Sequence, residues 1–334
     1  MIPTLNKVLV TGATGFLGRK IANRLVADGY IVRALARKES NVAALKKLGA
    51  EIIVGDVRER SLVVSAVKDV EVVVHAAAGT RGTAMDSDAV TVQGTQNILD
   101  ACRMCCVKKL VYISSCSVYG VADYRNGQLV TEESSLERFP ERRGDYSASK
   151  QHAEQLVIEA MNSTTFPIVI LRPGTIMGPG GELFTPMFGF NLLNKAFLVI
   201  GNGRFVLPFA YVDNVADAII ESIRNGNADN QIFNVVDQEH IQKKEYMKQV
   251  MRVLYPETPV VYFPYSLLYV IVWLQELLFK AIGRSPILTR YRLISSQRPI
   301  IYDGSKIRTM LGLRQRVSMA EALDKMVQSE KARH

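Results

Sequence analysis

The sequence is short of the residues that cross-link or metallate a fold. Only four cysteines, Cys102, Cys105, Cys106 and Cys116, occur in 334 residues. Three crowd one expected helix, and none stands at zinc-binding spacing from a histidine. A disulfide framework and a Cys/His metal centre are therefore not expected, and the thiols read as reduced groups of a cytosolic protein. No internal repeat and no low-complexity tract is found. With 48% apolar and 22% charged residues, the chain is globular rather than disordered. After Met1-Ile2-Pro3 it runs straight into a strand-like segment, as expected of a chain with no signal peptide. No aromatic-rich basic platform accompanies the cations, so nucleic acid is not an expected partner. Acids are scarce near the C-terminus. Between Gly283 and His334 four acids face 11 lysines and arginines, an excess of seven out of a formal net charge of +9. Such a tail suits an anionic membrane surface or a solvated face.

What is present begins with Thr11-Gly12-Ala13-Thr14-Gly15-Phe16-Leu17-Gly18. The glycines fall in a G-x-x-G-x-x-G spacing between a strand-like run, Lys7–Val10, and a helical stretch from Arg19 to Asp28. A glycine turn between strand and helix holds a phosphate, because the backbone can approach closely and the helix N-terminus offers free N–H groups. Gly12, Thr14, Gly15, Phe16, Leu17 and Gly18 are therefore candidate dinucleotide contacts. A second strand, Tyr30–Ala36, ends in Arg37 and Lys38. An acid at that strand end would bond a free ribose 2′-hydroxyl, whereas a cation accommodates a 2′-phosphate. Ala36 occupies the acid position, so the pattern favours NADP, with NAD as the alternative. A third strand ends at Asp56-Val57, where Asp56 can accept from the adenine amino group. A fourth runs into Ala76-Ala77-Ala78, small enough for a flat cofactor to lie over the strand end. His75 on that strand reads as a core histidine. Strands alternating with helices imply a parallel sheet covered on both faces.

Tyr146 and Lys150 stand four apart at the head of a helix, on one face. An ammonium beside a phenol is expected to lower the tyrosine pKa, and a phenol so tuned can exchange a proton with a substrate oxygen while hydride moves at a nicotinamide. A serine near that oxygen can share its developing charge.

Together these pieces resemble the extended short-chain dehydrogenase/reductases of the NAD-dependent epimerase/dehydratase superfamily. The matching elements are TGATGFLG at 11–18, GD at 55–56, HAAA at 75–78, SSCSVYG at 114–120, YSASK at 146–150 and LRPGTIMGPG at 171–180. The resemblance implies a Rossmann-type doubly wound parallel sheet with a smaller C-terminal substrate lobe. It places residues 1–175, completed by 211–236, in the cofactor domain, and 176–210 with 237–334 in the lobe. It implies a catalytic Ser115, with Ser114 and Ser117 as competitors, Tyr146 as acid/base, Lys150 on the nicotinamide ribose, and Pro173 near the nicotinamide. It also implies a homodimer through helices at 95–107 and 149–161. Thr91 departs from the pattern, since relatives usually carry Asn there, and puts the hydrogen bonding near the site in question.

Three features bear on substrate. Family dehydratases carry Asp-Glu after the catalytic serine, and this chain has Cys116-Ser117, so elimination is not expected. Nucleotide-sugar members place an Arg-Asp pair where this chain has Leu207-Pro208, which removes a diphosphate clamp unless Arg204 or Arg298 replaces it. Residues 264–282 form a greasy helix too short for a span of roughly 20 apolar residues. Its expected polar stripe is Ser266, Tyr269, Trp273, Glu276 and Lys280. It resembles the hydrophobic segment of membrane-bound sterol dehydrogenases, and it suits either a membrane interface or a buried lid or dimer contact. The family style is closest to 3β-hydroxysteroid and sterol dehydrogenases. The expected reaction interconverts a secondary alcohol and a ketone on an apolar small molecule, in the cytoplasm or at a membrane surface. A nucleotide-sugar epimerase or reductase is the alternative.

Overall fold

A computed structural model describes residues 7–79, 84–185, 187–192 and 195–333. The opening Met1-Ile2-Pro3 lies outside the described residues. Seven short, valine- and isoleucine-rich segments form one sheet: β1 Lys7–Thr11, β2 Ile31–Ala36, β3 Glu51–Val54, β4 Val72–His75, β5 Lys109–Ile113, β6 Ile168–Pro173 and β7 Ile232–Val235. Their spatial order is β7-β6-β5-β4-β1-β2-β3, and every neighbouring pair is parallel. The order reverses beside β1, so a crevice opens there at the strand ends, where ligands bind in such sheets.

Alternation along each strand covers both faces. Val8 and Val10 join one buried cluster and Leu9 the other, just as Val72 and Val74 face away from Val73. Residues fully removed from water on both faces each contribute about 1.5–3 kcal/mol, so these short strands anchor the half that holds the site. Gly18 sets how closely the first helix, Phe16–Ala27, meets the sheet. A Cβ there would stand 2.1 Å from the Gly12 carbonyl oxygen.

A third cluster gathers Phe188, Phe197, Phe209, Tyr211, Tyr246 and Leu323. Its small sheet pairs Ala196–Ile200 with Gly189–Leu192 and Val260–Phe263.

The helix Tyr265–Ala281 departs from the buried lid, one expectation for it. Val272 is its one buried residue. Gln275 and Glu276 turn inward. Gln275 exchanges two hydrogen bonds with the backbone of Leu288, and Glu276 binds both the amide and the guanidinium of Arg290. The outward face carries Leu267, Val270, Ile271, Leu274, Leu277 and Leu278, each 46–60% exposed. Periodicity located the helix but not its rotation, because the partners of Gln275 and Glu276 lie in the next segment. Among the described residues, no helix is long and apolar enough to cross a membrane.

Candidate active site

The crevice beside β1 is a cleft of about 470 Å³. Its floor is the glycine turn, and Ala76, Ala77 and Ala78 form the far wall. The first helix starts at Gly15 with no side-chain cap, which leaves its N-terminal turn available for a pyrophosphate. Small residues along the wall and an uncapped helix end fit a dinucleotide.

Where β3 ends Asp56 lines the cleft, but both its oxygens are held by Arg58, at 3.0 and 2.9 Å. That hydrogen bonding, more than the opposing effect of burial, holds the Asp56 carboxyl below its ordinary value. Arg37 also lines this end and lies 3.4 Å from Glu39, both well exposed. The cleft is therefore lined by one guanidinium, Arg37, where β2 ends, with Arg58 bound behind Asp56 where β3 ends.

Behind the wall runs a buried hydroxyl–imidazole chain. Thr95 Oγ1 donates to the Thr91 carbonyl at 2.6 Å. Its single hydrogen is then committed, so His75 Nε2 must donate to it across 3.1 Å. His75 Nδ1 accepts from Thr11 Oγ1 at 2.7 Å, and Thr11 Oγ1 accepts from the Ala77 amide at 3.2 Å. Burial, assisted by the Lys150 charge, brings the His75 pKa down to about 3. His75 is thus neutral and fully bonded inside the core. Thr91 sits in a widened helical turn, Ala89–Gln93, and its hydroxyl accepts from the Gly79 amide at 2.9 Å. The threonine keeps this corner bonded.

Three groups meet where β5 ends. Ser115 caps the turn Cys116–Val118, accepting from the Ser117 amide at 3.1 Å. The helix Asp145–Met161 brings Tyr146 opposite it. Tyr146 is 38% exposed and, like Lys150, lies outside the lining of the cleft, yet its hydroxyl end is ringed by protein. That desolvation raises its pKa, while a hydrogen bond with Ser115 works the other way. The expectation that Lys150 lowers the Tyr146 pKa is not met here. The Lys150 ammonium points to the Ile113 carbonyl at 2.6 Å and lies 5.3 Å over the Tyr112 ring. Burial brings its own pKa down to about 8, against the pull of Glu154.

Glu154, one helical turn beyond Lys150, joins a buried network. Its carboxylate takes Arg172 Nη2 at 2.6 Å, and Arg172 Nη1 reaches the Tyr119 hydroxyl at 2.8 Å. Tyr119 donates to Asn234 at 2.6 Å. The helix of Tyr146, the Ser115 segment, β6 and β7 are thereby tied together.

Residues 8–235 match the profile of the NAD dependent epimerase/dehydratase family. The chain belongs to this family. It is an NAD(P)-dependent oxidoreductase of the extended short-chain type. A 3beta-hydroxysteroid-dehydrogenase/decarboxylase (isoform 1) of Arabidopsis thaliana is 31% identical over 350 residues, covering 96% of this chain and 79% of the relative. A 4-hydroxy-2-methyl-3-oxo-4-farnesyl-3,4-dihydroquinoline-1-oxide ketoreductase of Stigmatella aurantiaca is 29% identical over 328 residues, covering 97% and 96%. The crystal structure of gox2253 superposes with a TM-score of 0.83 at 25% identity, with 98% of each chain covered.

Most sequence-predicted contacts of this epimerase/dehydratase-family chain line one cleft, namely the glycine-turn residues, Arg37, Asp56, Val57 and the three alanines. Lys38 is exposed and Pro173 is buried at the end of β6, and neither lines it. Sequence reasoning missed Ser40 and Val90 in the lining and Arg58 on Asp56. The Asp-x-Arg spacing was the available signal for Arg58. Ser114 and Ser117 keep buried hydroxyls with no hydrogen-bond partner among the described residues, and Ser115 is the serine whose hydroxyl acts to lower the Tyr146 pKa. Cys116 is buried with its thiol on the Arg172 carbonyl at 3.2 Å, so no acid stands at the elimination position.

Proposed function

We propose that the protein is an NADP-preferring oxidoreductase that interconverts a secondary hydroxyl and a ketone on a largely apolar substrate. The observation that carries this reading is the convergence of Ser115 and Tyr146 at the end of β5 with Lys150 buried beside them. A dinucleotide bound in the cleft supplies the hydride chemistry. Tyr146 gives or takes the proton at the substrate oxygen, and Ser115 holds that oxygen and shares its charge. Lys150 keeps positive charge in a water-poor corner and is placed to hold the ribose. The preference for NADP is supported by Ala36 where an acid would repel a 2′-phosphate, and by Arg37 and Arg58 at that end of the cleft. An apolar substrate is supported by Leu207-Pro208 and by the names of the two relatives, one a steroid dehydrogenase and one a ketoreductase of a farnesyl-bearing quinoline. Purified protein with NADPH should reduce bulky apolar ketones, and a nicotinamide absorbance assay reads this directly. Strong stabilisation by a UDP-sugar, with no turnover of any apolar ketone, would sink the reading.

We further infer that the helix Tyr265–Ala281 rests on an anionic bilayer. Its apolar face points outward, Gln275 and Glu276 are occupied within the protein, and Lys280 and Arg284 stand exposed at its far end. The chain has a single tryptophan, and Trp273 is 41% exposed on this helix. Its emission should shift to the blue on adding phosphatidylglycerol vesicles. An unchanged spectrum, together with no co-flotation, would remove the bilayer from the picture.

A further inference from the structure

Glu137 is a buried carboxylate, 3% exposed, that the hydride chemistry does not use. It stands in an irregular stretch between the short strand Leu129–Val130 and the short helix Pro140–Arg143. A charge taken out of water is costly unless it is bonded. Its Oε1 accepts from the Phe139 amide at 3.0 Å and from the Tyr291 hydroxyl. Its Oε2 has no hydrogen-bond partner among the described residues and lies 3.9 Å from the Arg143 guanidinium.

The backbone of Glu137 faces two ways. Its amide donates to the Val118 carbonyl at 2.8 Å, in the turn that Ser115 caps. Its carbonyl accepts from Gln151 Nε2 at 2.7 Å, and Gln151 follows Lys150 on the helix Asp145–Met161. Neighbours extend the first contact. The Gly120 amide donates to the Ser135 carbonyl at 3.1 Å, and Leu136 bridges Tyr119 in antiparallel fashion. Arg143, three residues before Tyr146, donates to the Tyr119 carbonyl. Glu137 thus stands between the segment that carries Ser115 and the helix that carries Tyr146 and Lys150. Tyr291 comes from outside both. It lies in the first turn of the helix Arg290–Gln297 and sets its ring edge-on to Phe139, with centroids 6.4 Å apart. A phenol donating to a carboxylate makes a strong, directional bond. Tyr291 therefore fixes the side chain of Glu137 while the backbone of Glu137 fixes the two catalytic segments.

We propose that Glu137, held by Tyr291, is a positioning residue that keeps the Ser115 hydroxyl in register with the Tyr146 phenol and so sets the rate of proton transfer at the substrate oxygen. It acts through the two segments it joins. The proposal rests on the reading of Ser115 and Tyr146 as the proton-transfer pair. Register is worth rate, because a misplacement of about 1 Å can cost roughly 10²-fold.

The test uses the full-length protein with Tyr291→Phe, which removes one hydroxyl and keeps the ring on Phe139, and with Glu137→Gln, which keeps the length of the side chain and removes its charge. With cyclododecanol and NADP, Tyr291→Phe should lower kcat about tenfold while KM and the affinity for NADP stay within about twofold. The acid limb of the kcat–pH profile, where Tyr146 must lose its proton to accept that of the alcohol, should move up by about half a unit, because a displaced Ser115 no longer lowers the phenol pKa. The double variant should be within about twofold of the slower single variant, since both changes break one bond. A lower melting temperature with kcat and the acid limb in place would mark a merely structural contact and overturn the proposal, as would losses that multiply in the double variant. Hydrogen exchange read by mass spectrometry needs no turnover. In Tyr291→Phe the amides of 115–120 and 145–151 should exchange at least about threefold faster, and those of β1 at the parent rate. Unchanged exchange in both segments overturns the proposal whatever the kinetics. If exchange quickens in both while Tyr146→Phe keeps full turnover, the junction at Glu137 stands and the proton-transfer reading is what fails.

Discussion

In the sheet half of the molecule the buried Arg172 guanidinium meets Glu154 at 2.6 Å, the Tyr119 hydroxyl at 2.8 Å and the Glu132 carbonyl at 3.1 Å. In the lobe Arg298 finds two neutral oxygens, and among the described residues its Nε has no partner and the buried Lys243 has no acid beside it. The first arrangement closes on itself and fastens β6, β7 and the Tyr146 helix into one block. The second is electrostatically unfinished.

The contrast can be broken at several points. Replacing the proton donor should do most. Tyr146→Phe is expected to lower kcat on the order of 10²–10⁴-fold while NADPH titration by fluorescence stays near that of the parent protein. Next comes the closed network. Glu154→Gln strands the Arg172 guanidinium in the core, and urea unfolding should report a loss of about 3–5 kcal/mol. An unchanged midpoint would mean the network is not what fastens the sheet half. Arg37→Ala should weaken NADPH about tenfold and leave NADH within twofold, read from binding titrations of both.

The smallest effect concerns pH. Burial lowers the pKa of Lys150 and of Lys243 to about 8, from an ordinary 10.5. Between those values the unfolded chain binds more protons than the folded one, so stability rises with pH across the window from about 8 to 10.5. The melting temperature should climb by roughly 2–4 °C from pH 7.5 to 9.5. Lys243→Met should flatten part of that climb. A falling melting temperature over the same range would contradict the burial of both ammonium groups.

The sheet half was open to sequence reasoning because its determinants are contiguous. The glycine turn, the alanine run and the Tyr–Lys spacing each sit inside a single strand–turn or helix, where local periodicity fixes direction. The direction of the Tyr146 pKa shift was not, since it is set by how the fold closes around the phenol, with Lys150 turned instead to the Ile113 carbonyl. Nor was the junction at Glu137, because Val118, Gln151 and Tyr291 come from stretches that only the tertiary fold brings together. The rotation of the helix Tyr265–Ala281 escaped for the same reason. A greasy stretch announces itself in any orientation, and only the Glu276–Arg290 pair at 2.6 Å decides which side faces in.

That pair also makes the outer helix part of a strut. Gln275 and Glu276 grip residues 288–290, the helix Arg290–Gln297 continues from there without slack, and Arg292 abuts Gly144. Gly144 holds φ at +124°, a backbone shape that leaves little tolerance for any other residue at the start of the Tyr146 helix. A tilt of the outer helix therefore has no loose loop in which to dissipate, and bears mechanically on the turn that aims the phenol.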